Sequence, residues 1–177
     1  MTTRKSKFIL LLAMMLLVVP VTRAENEGEV RGTVQRVFQQ LKSGDYGALY
    51  DSLPAATRTR MSRSRFTGAL KRAQDMYVLD RLEIGGVRVS GSIAVVDTVL
   101  YGRVVSPIQT EGKIVVQQYL VREEGKWRVA TGDRRTIQQF LGANPAFARK
   151  FPISSPRIYV KQGNKWIEFN PSKAARG

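Results

Sequence analysis

The chain has 177 residues, 29 Lys plus Arg against 14 Asp plus Glu, a formal charge of +15, and neither Cys nor His. Those two missing residue types close off a disulfide scaffold, a Cys nucleophile, a Ser-His-Asp triad and zinc sites of the usual ligands. Any chemistry is left to carboxylate, Lys, Tyr or Ser groups.

Arg4, Lys5 and Lys7 precede an apolar run from Phe8 to Val19, then Pro20 and the small-residue site Thr22-Arg23-Ala24. This is the three-part layout of a secretory signal peptide, with cleavage expected after Ala24. The alternative is an uncleaved anchor, although the run falls short of the roughly 20 residues of a membrane span. With no Cys after the run, a lipoprotein anchor is closed. Removing residues 1–24 takes four bases and no acid, leaving 25 bases against 14 acids, or +11. The mature part is one domain's worth of chain. An exported protein without Cys suits a bacterial periplasm or exterior better than a disulfide-stapled secreted fold.

Val30, Val34, Val37, Phe38 and Leu41 make a helical stripe from about Glu27 to Lys42. Gly44 supplies a stop, and Asp45 can cap a second helix carrying Tyr46, Leu49, Tyr50 and Leu53, closed by Pro54. Phe66, Ala69, Leu70, Ala73 and Tyr77 predict a third helix from about Ser64 to Tyr77. The period then changes to two. A strand with a bulge or bend at Gly85-Gly86 is expected from Leu79, then strands at Ile93 to Val105, Ile114 to Arg122 and Trp127 to Val129. Glu123-Glu124-Gly125 reads as the last hairpin's turn. Asp133 can cap a short helix with Ile137, Phe140 and Leu141 on one side, ended by Gly142. A connector with Pro145, Pro152 and Pro156 leads to a second hairpin, Arg157 to Lys161 and Lys165 to Phe169 around Gln162-Gly163-Asn164.

Helices followed by hairpin-linked strands give an α+β domain with a mostly antiparallel sheet. The strand from Ile93 is apolar on both faces, Ile93, Val95, Val99 and Tyr101 on one and Ala94, Val96 and Leu100 on the other. The first helices can cover only one face, so either the segment after Gly142 or a partner subunit is expected on the second. The expected division is residues 1–24 as signal peptide, 25–141 as the domain and 142–177 as connector and β-hairpin extension.

The run Val37-Phe38-Gln39-Gln40-Leu41-Lys42-Ser43-Gly44-Asp45-Tyr46-Gly47-Ala48-Leu49-Tyr50, then a third helix and strands ending in Glu124-Gly125-Lys126-Trp127-Arg128-Val129, resembles the nuclear transport factor 2-like superfamily. The resemblance covers about Glu27 to Ala130. It implies a cystatin-like cone, three helices in the hollow of a strongly curved sheet, able to hold a small apolar ligand or serve as a binding surface. It also implies dimerisation through the outer sheet face. It does not imply an activity, because one fold hosts many functions. Enzymatic members resembling ketosteroid isomerase use Asp, His or Tyr inside the cone, and no acid here aligns with their catalytic positions.

Asp97 is an acid among Val95, Val96 and Val99. Facing the cone with Tyr101 it would be a proton-abstracting base; facing outward it would pair with an Arg such as Arg88. Tyr50, Tyr77, Tyr101 and Tyr119 either line one pocket or are plain core. Arg58, Arg60, Arg63, Arg65, Lys71 and Arg72 form the densest basic cluster, a docking face for anionic envelope surfaces or a solvated charge spread. No exposed aromatics interleave with these bases along the chain, so nucleic acid is not an expected partner. Gly112-Lys113 and Gly125-Lys126 lack the Ser or Thr of a phosphate loop, and no spaced acidic loop offers a metal site. No cofactor or metal is expected. The reading is an exported, non-enzymatic module that holds a small apolar ligand or docks an envelope protein or surface. The alternative is an isomerase or lyase of the ketosteroid-isomerase kind using Asp97 and Tyr101.

Overall fold

The computed structural model describes residues 19–105 and 109–169, with side chains from residue 25 onward. Most of the expected signal peptide, residues 1–18, lies outside the described residues. Helix α1, Val19–Ser43, buries Val30, Val34, Val37 and Phe38 as the stripe requires. Its end is a Schellman stop. Gly44, at φ 75°, donates to the Leu41 carbonyl at 3.3 Å, and Asp45 donates to Gln40 at 2.9 Å. The Asp45 carboxylate then accepts from Ala48 N at 3.1 Å and starts α2, Tyr46–Asp51.

Four helical segments precede the first strand among the described residues, one more than the periodicity predicts. The extra one, α3 (Ala55–Arg60), follows Pro54 and buries nothing, so it carries no apolar stripe to read. Helix α4, Arg63–Gln74, is capped by Ser62 and ends before Tyr77, which is the first residue of β1 rather than the last of a helix.

The strands are β1 (Tyr77–Ser90), β2 (Ile93–Val104), β3 (Thr110–Glu123), β4 (Lys126–Val129), β5 (Arg157–Gln162) and β6 (Lys165–Phe169). They form one six-stranded antiparallel sheet in the order β1-β2-β3-β5-β6, with β4 also on β3. The edge of β3 is shared: Gly112 to Val115 pair with β5, Leu120 to Glu123 with β4. The β3–β4 turn has Glu124 at φ 50° and Gly125 at φ 75°, both left-handed as a two-residue I′ turn needs.

Two register shifts interrupt β1, between Leu79 and Arg81 and between Ile84 and Val87, the second at the expected Gly85-Gly86. Shifts of this kind bend a strand. Both lie against α1, where Lys42 Nζ donates to the Asp80 carbonyl at 2.6 Å and Arg31 Nη2 to the Gly85 carbonyl at 2.8 Å.

The sheet is buried on both sides at one end. On the α1 side, Ala94, Val96, Leu120, Trp127 and Val129 pack with Val30, Val34 and Leu49. On the other side, Ile93, Val95, Tyr119 and Val121 are covered by Ile137 and Leu141 of α5 (Arg134–Gly142) and Phe147 of α6 (Pro145–Lys150), with Phe151 and Ile153 following. The chain's own C-terminal segment therefore covers that part of the second face. The cover begins at α5, before Gly142, and α6 forms where the sequence reads only as connector.

Helix α5 is fixed by Asp133. Its carboxylate accepts from Thr136 N at 3.1 Å and is paired with Arg60 and Thr57 of α3. Burial alone raises its pKa, but hydrogen bonds from Thr57, from the backbone and side chain of Thr136, and from Arg60 outweigh it and hold the carboxyl at about 2.

Candidate functional site: an apolar cavity at the open end of the sheet

Strand parity decides which side chains share a face. Ala94 and Val96 of β2 go to the α1 side, so Leu100, Gly102 and Val104 do too, whereas Val95, Asp97, Val99 and Tyr101 go to the other. On the α1 side, past the last turn of α1, the sheet opens into a cavity of about 350 Å³, lined among others by Leu41, Leu79, Leu100, Ile114 and Ile158. No carboxylate, Ser or Thr lines it. Its size falls at the low end of the roughly 300–1,000 Å³ of small-molecule sites.

The hollow exists because two glycines face each other there. Gly102 of β2 pairs with Gly112 of β3, leaving two adjacent inward positions without side chains. The two are not equivalent. A Cβ on Gly102 would run into the carbonyl oxygen of Val78, so close backbone approach requires glycine. A Cβ on Gly112 would meet only ordinary contacts, Val104 Cγ2 at 3.5 Å and the Tyr159 carbonyl at 3.6 Å.

The four tyrosines do not converge. Tyr77 borders the cavity at its helical rim, near Tyr46, whose phenol is pushed up by burial and then by Tyr77 and Asp75. Tyr101 borders it only from the strand; its hydroxyl is on the opposite face, donating to Glu83 at 3.0 Å. Burial first, and then that hydrogen bond, push the Tyr101 phenol up. Tyr50 is buried in the helical layer, donating to the carbonyls of Met61 at 2.8 Å and Arg58 at 3.0 Å. Tyr119 belongs to the second cluster and donates to the Pro152 carbonyl at 2.8 Å.

Asp97 is also away from the cavity. It accepts from Arg88 Nη1 at 2.6 Å and from Gln117 Nε2 at 3.3 Å, both on its own side of the sheet. The outward ion pair is therefore the arrangement found, and Asp97 with Tyr101 is not an acid–base pair in a cone. The reason is parity: an odd position in β2 cannot face α1 without moving Val96 and Ala94 out of the core.

The basic cluster is divided. Arg60 is engaged by Asp133 and Thr136, and Arg63 by Asp51, the Gly47 carbonyl at 3.0 Å and the Tyr50 ring. Arg58 is half-buried, while Arg65, Lys71 and Arg72 are exposed on α4. The six do not lie on one continuous helix, because α3 and α4 break at Met61 and Ser62.

Some features have no signal along the chain. Cations and aromatics that do not interleave in sequence do so across strands on the face away from α1. The Arg81 guanidinium lies 3.8 Å over Tyr101, and Lys113 Nζ lies 4.6 Å over Trp166 and 5.3 Å over Tyr159. The chain's own cations thus stack on these rings. The cavity itself could have been found from Gly102 and Gly112, since glycine inside a strand marks a bulge or close approach. Among the described residues no group of His, Cys, Asp or Glu could hold a metal, and no helix is long and apolar enough to cross a membrane.

No protein-family model matches the chain, and no curated protein matches it. Solved structures that resemble it include a SEC-C-motif-containing protein from Rhodopseudomonas palustris. That protein is 11% identical with a TM-score of 0.43, over 52% of this chain and 67% of the other. A protein described as an NTF2-like transpeptidase from Campylobacter jejuni is 12% identical with a TM-score of 0.40, over 56% of this chain and 94% of the other. Likeness at that level says nothing about activity.

Proposed function

We propose that this chain is an exported, non-enzymatic binding module with a nuclear transport factor 2-like cone, and that it holds a small apolar ligand in the cavity beside Gly102 and Gly112. One observation carries the reading. The sheet's open end presents about 350 Å³ of space walled mainly by Leu41, Leu79, Leu100, Ile114 and Ile158, with Tyr77 at its rim, Arg103 and Lys113 bordering it from the strands, and no carboxylate, Ser or Thr. Buried apolar surface supplies affinity without directional chemistry, which suits holding rather than turnover. The bulges of β1 against α1 support a sheet curved around the helix.

Export is supported by the layout of residues 1–24. The isomerase alternative needs Asp97 at the floor of the cavity, and its place on the other face speaks against it.

Native mass spectrometry of the protein purified from its own compartment tests both parts. The expected result is a chain shortened by residues 1–24 that carries a releasable apolar small molecule. A full-length or bare chain would overturn the corresponding part.

A further inference from the structure

The apolar side of the sheet does not stop at the cavity. In register, Leu82, Leu100, Ile114, Ile158 and Phe169 form one row across five strands, and Leu79, Gly102, Gly112, Val160 and Ile167 form the next. The β5–β6 hairpin thus prolongs the cavity wall outward, and its last members, Ile167 and Phe169, are 43% and 39% exposed. Six of the seven exposed large apolar residues among the described ones lie at this end of the sheet, on both of its faces: Ile167 and Phe169 on the cavity side, Val78 and Trp166 on the other, and Met76 and Val105 at the strand ends. Val105 N donates to the Met76 carbonyl at 2.9 Å, so the ends of β1 and β2 are tied together there.

Clustering of this kind marks an interaction surface, whereas single exposed apolar residues are ordinary. The charges around it have one dominant sign. Lys71 and Arg72 stand in the last turn of α4, just before Met76, and Arg103 and Lys165 at the strand ends are exposed. Together with Lys113 and Lys161 they outnumber Asp75, Glu111 and Glu168, and Glu111 is already paired to Lys161 at 2.8 Å.

We propose that this end of the protein docks on an anionic lipid bilayer, with Ile167 and Phe169 among the acyl chains and Lys165, Arg103, Lys71 and Arg72 among the headgroups, so that one acyl chain passes into the cavity. A bilayer offers anionic and apolar layers in the order in which the surface presents cations and apolar side chains. A second copy of the chain would instead bring two ends of the same positive sign together. The passage of an acyl chain rests on the ligand-holding reading above; the docking does not.

Trp166 is a built-in reporter. Of the chain's two tryptophans, Trp127 is 6% exposed and Trp166 36%, so a blue shift on vesicle binding reports the hairpin. The protein should show that shift with vesicles of phosphatidylcholine plus phosphatidylglycerol, less with phosphatidylcholine alone, and less again at high salt. Each base near an anionic surface contributes about fivefold to binding, so Arg103→Glu with Lys165→Glu should weaken it by about 25-fold or more. Ile167→Ser with Phe169→Ser should abolish the shift. Arg149→Glu with Lys150→Glu, the same charge change on α6, should leave it intact. Absence of the shift, or equal loss in both charge-reversed variants, would overturn the docking, as would Ile167-dependent self-association without vesicle binding. Uptake of a soluble fluorescent fatty acid in vesicle-free buffer reads the cavity alone. Uptake without vesicle binding defeats the docking and spares the cavity; vesicle binding without uptake spares the docking and defeats the passage.

Discussion

The two ends of β2 are made of the same kind of residue and do different things. From Ile93 to Val96 the strand is fully buried, enclosed by α1 on one side and by α5, α6 and their following segment on the other. From Leu100 to Val104 the strand is still largely apolar apart from Arg103, but α1 has ended at Ser43 and the α5–α6 cover does not reach it. One face becomes a cavity and the other a surface of stacked cations and rings. Apolar composition therefore specifies burial only where another element arrives to cover it. Where none does, the same residues make a site.

Truncation separates the two ends most sharply. Leu120→Ala at the closed end should cost about 3 kcal/mol, because the surrounding side chains are fully packed. Leu100→Ala should cost less, about 1–2 kcal/mol, because Leu100 is only half-buried and borders open space already. Urea unfolding of both variants measures the difference, and equal losses would break the comparison.

Asp133 tests how the closed end is held. Its folded pKa of about 2 lies below the ordinary aspartate value of 3.8, so its contribution is present above about pH 4 and is lost as pH falls toward 2. Asp133→Asn should cost about 2 kcal/mol at neutral pH and flatten the acid limb between those values. Thermal melts across that range would show it, and an unchanged acid limb would count against the Asp133 anchor.

The glycine pair gives a subtler contrast. Gly102→Ala should destabilise by about 1–2 kcal/mol, through the clash with the Val78 carbonyl, while Gly112→Ala should stay within about 0.5 kcal/mol. Asp97→Asn should also have a small effect, within about 1 kcal/mol and with no change in ligand uptake, since its ion pair with Arg88 is partly exposed on the far face.

Much of the fold is written locally. The α1 stripe, the Ser43-Gly44-Asp45 corner, the bulge at Gly85-Gly86, the Glu124-Gly125 turn and the Asp133 cap all depend on residues within a few positions of one another, so a linear reading reaches them. Helix α3 is not written that way, because Ala-Ala-Thr-Arg-Thr-Arg has no large apolar residue to set a period, and α6 is masked by the prolines around it. The site is less legible than the fold for a related reason. Gly102 and Gly112 become a hollow only through the register of β2 against β3, and Tyr50, Tyr77, Tyr101 and Tyr119 look alike until strand parity sends them to different places. The face of Asp97 is likewise not encoded locally, and it follows from the register of β2 against β3.

The central claim, that the open end of β2 is a ligand cavity, is tested most directly by titrating an apolar fluorescent probe against the protein and its Gly112→Leu variant. A Cβ at Gly112 meets only ordinary contacts and the residue lines the cavity, so a leucine there is expected to extend into that space. Saturable binding to the parent protein is expected, with a loss of about tenfold or more in a variant whose melting temperature is unchanged. Undiminished binding to a folded Gly112→Leu variant would contradict it.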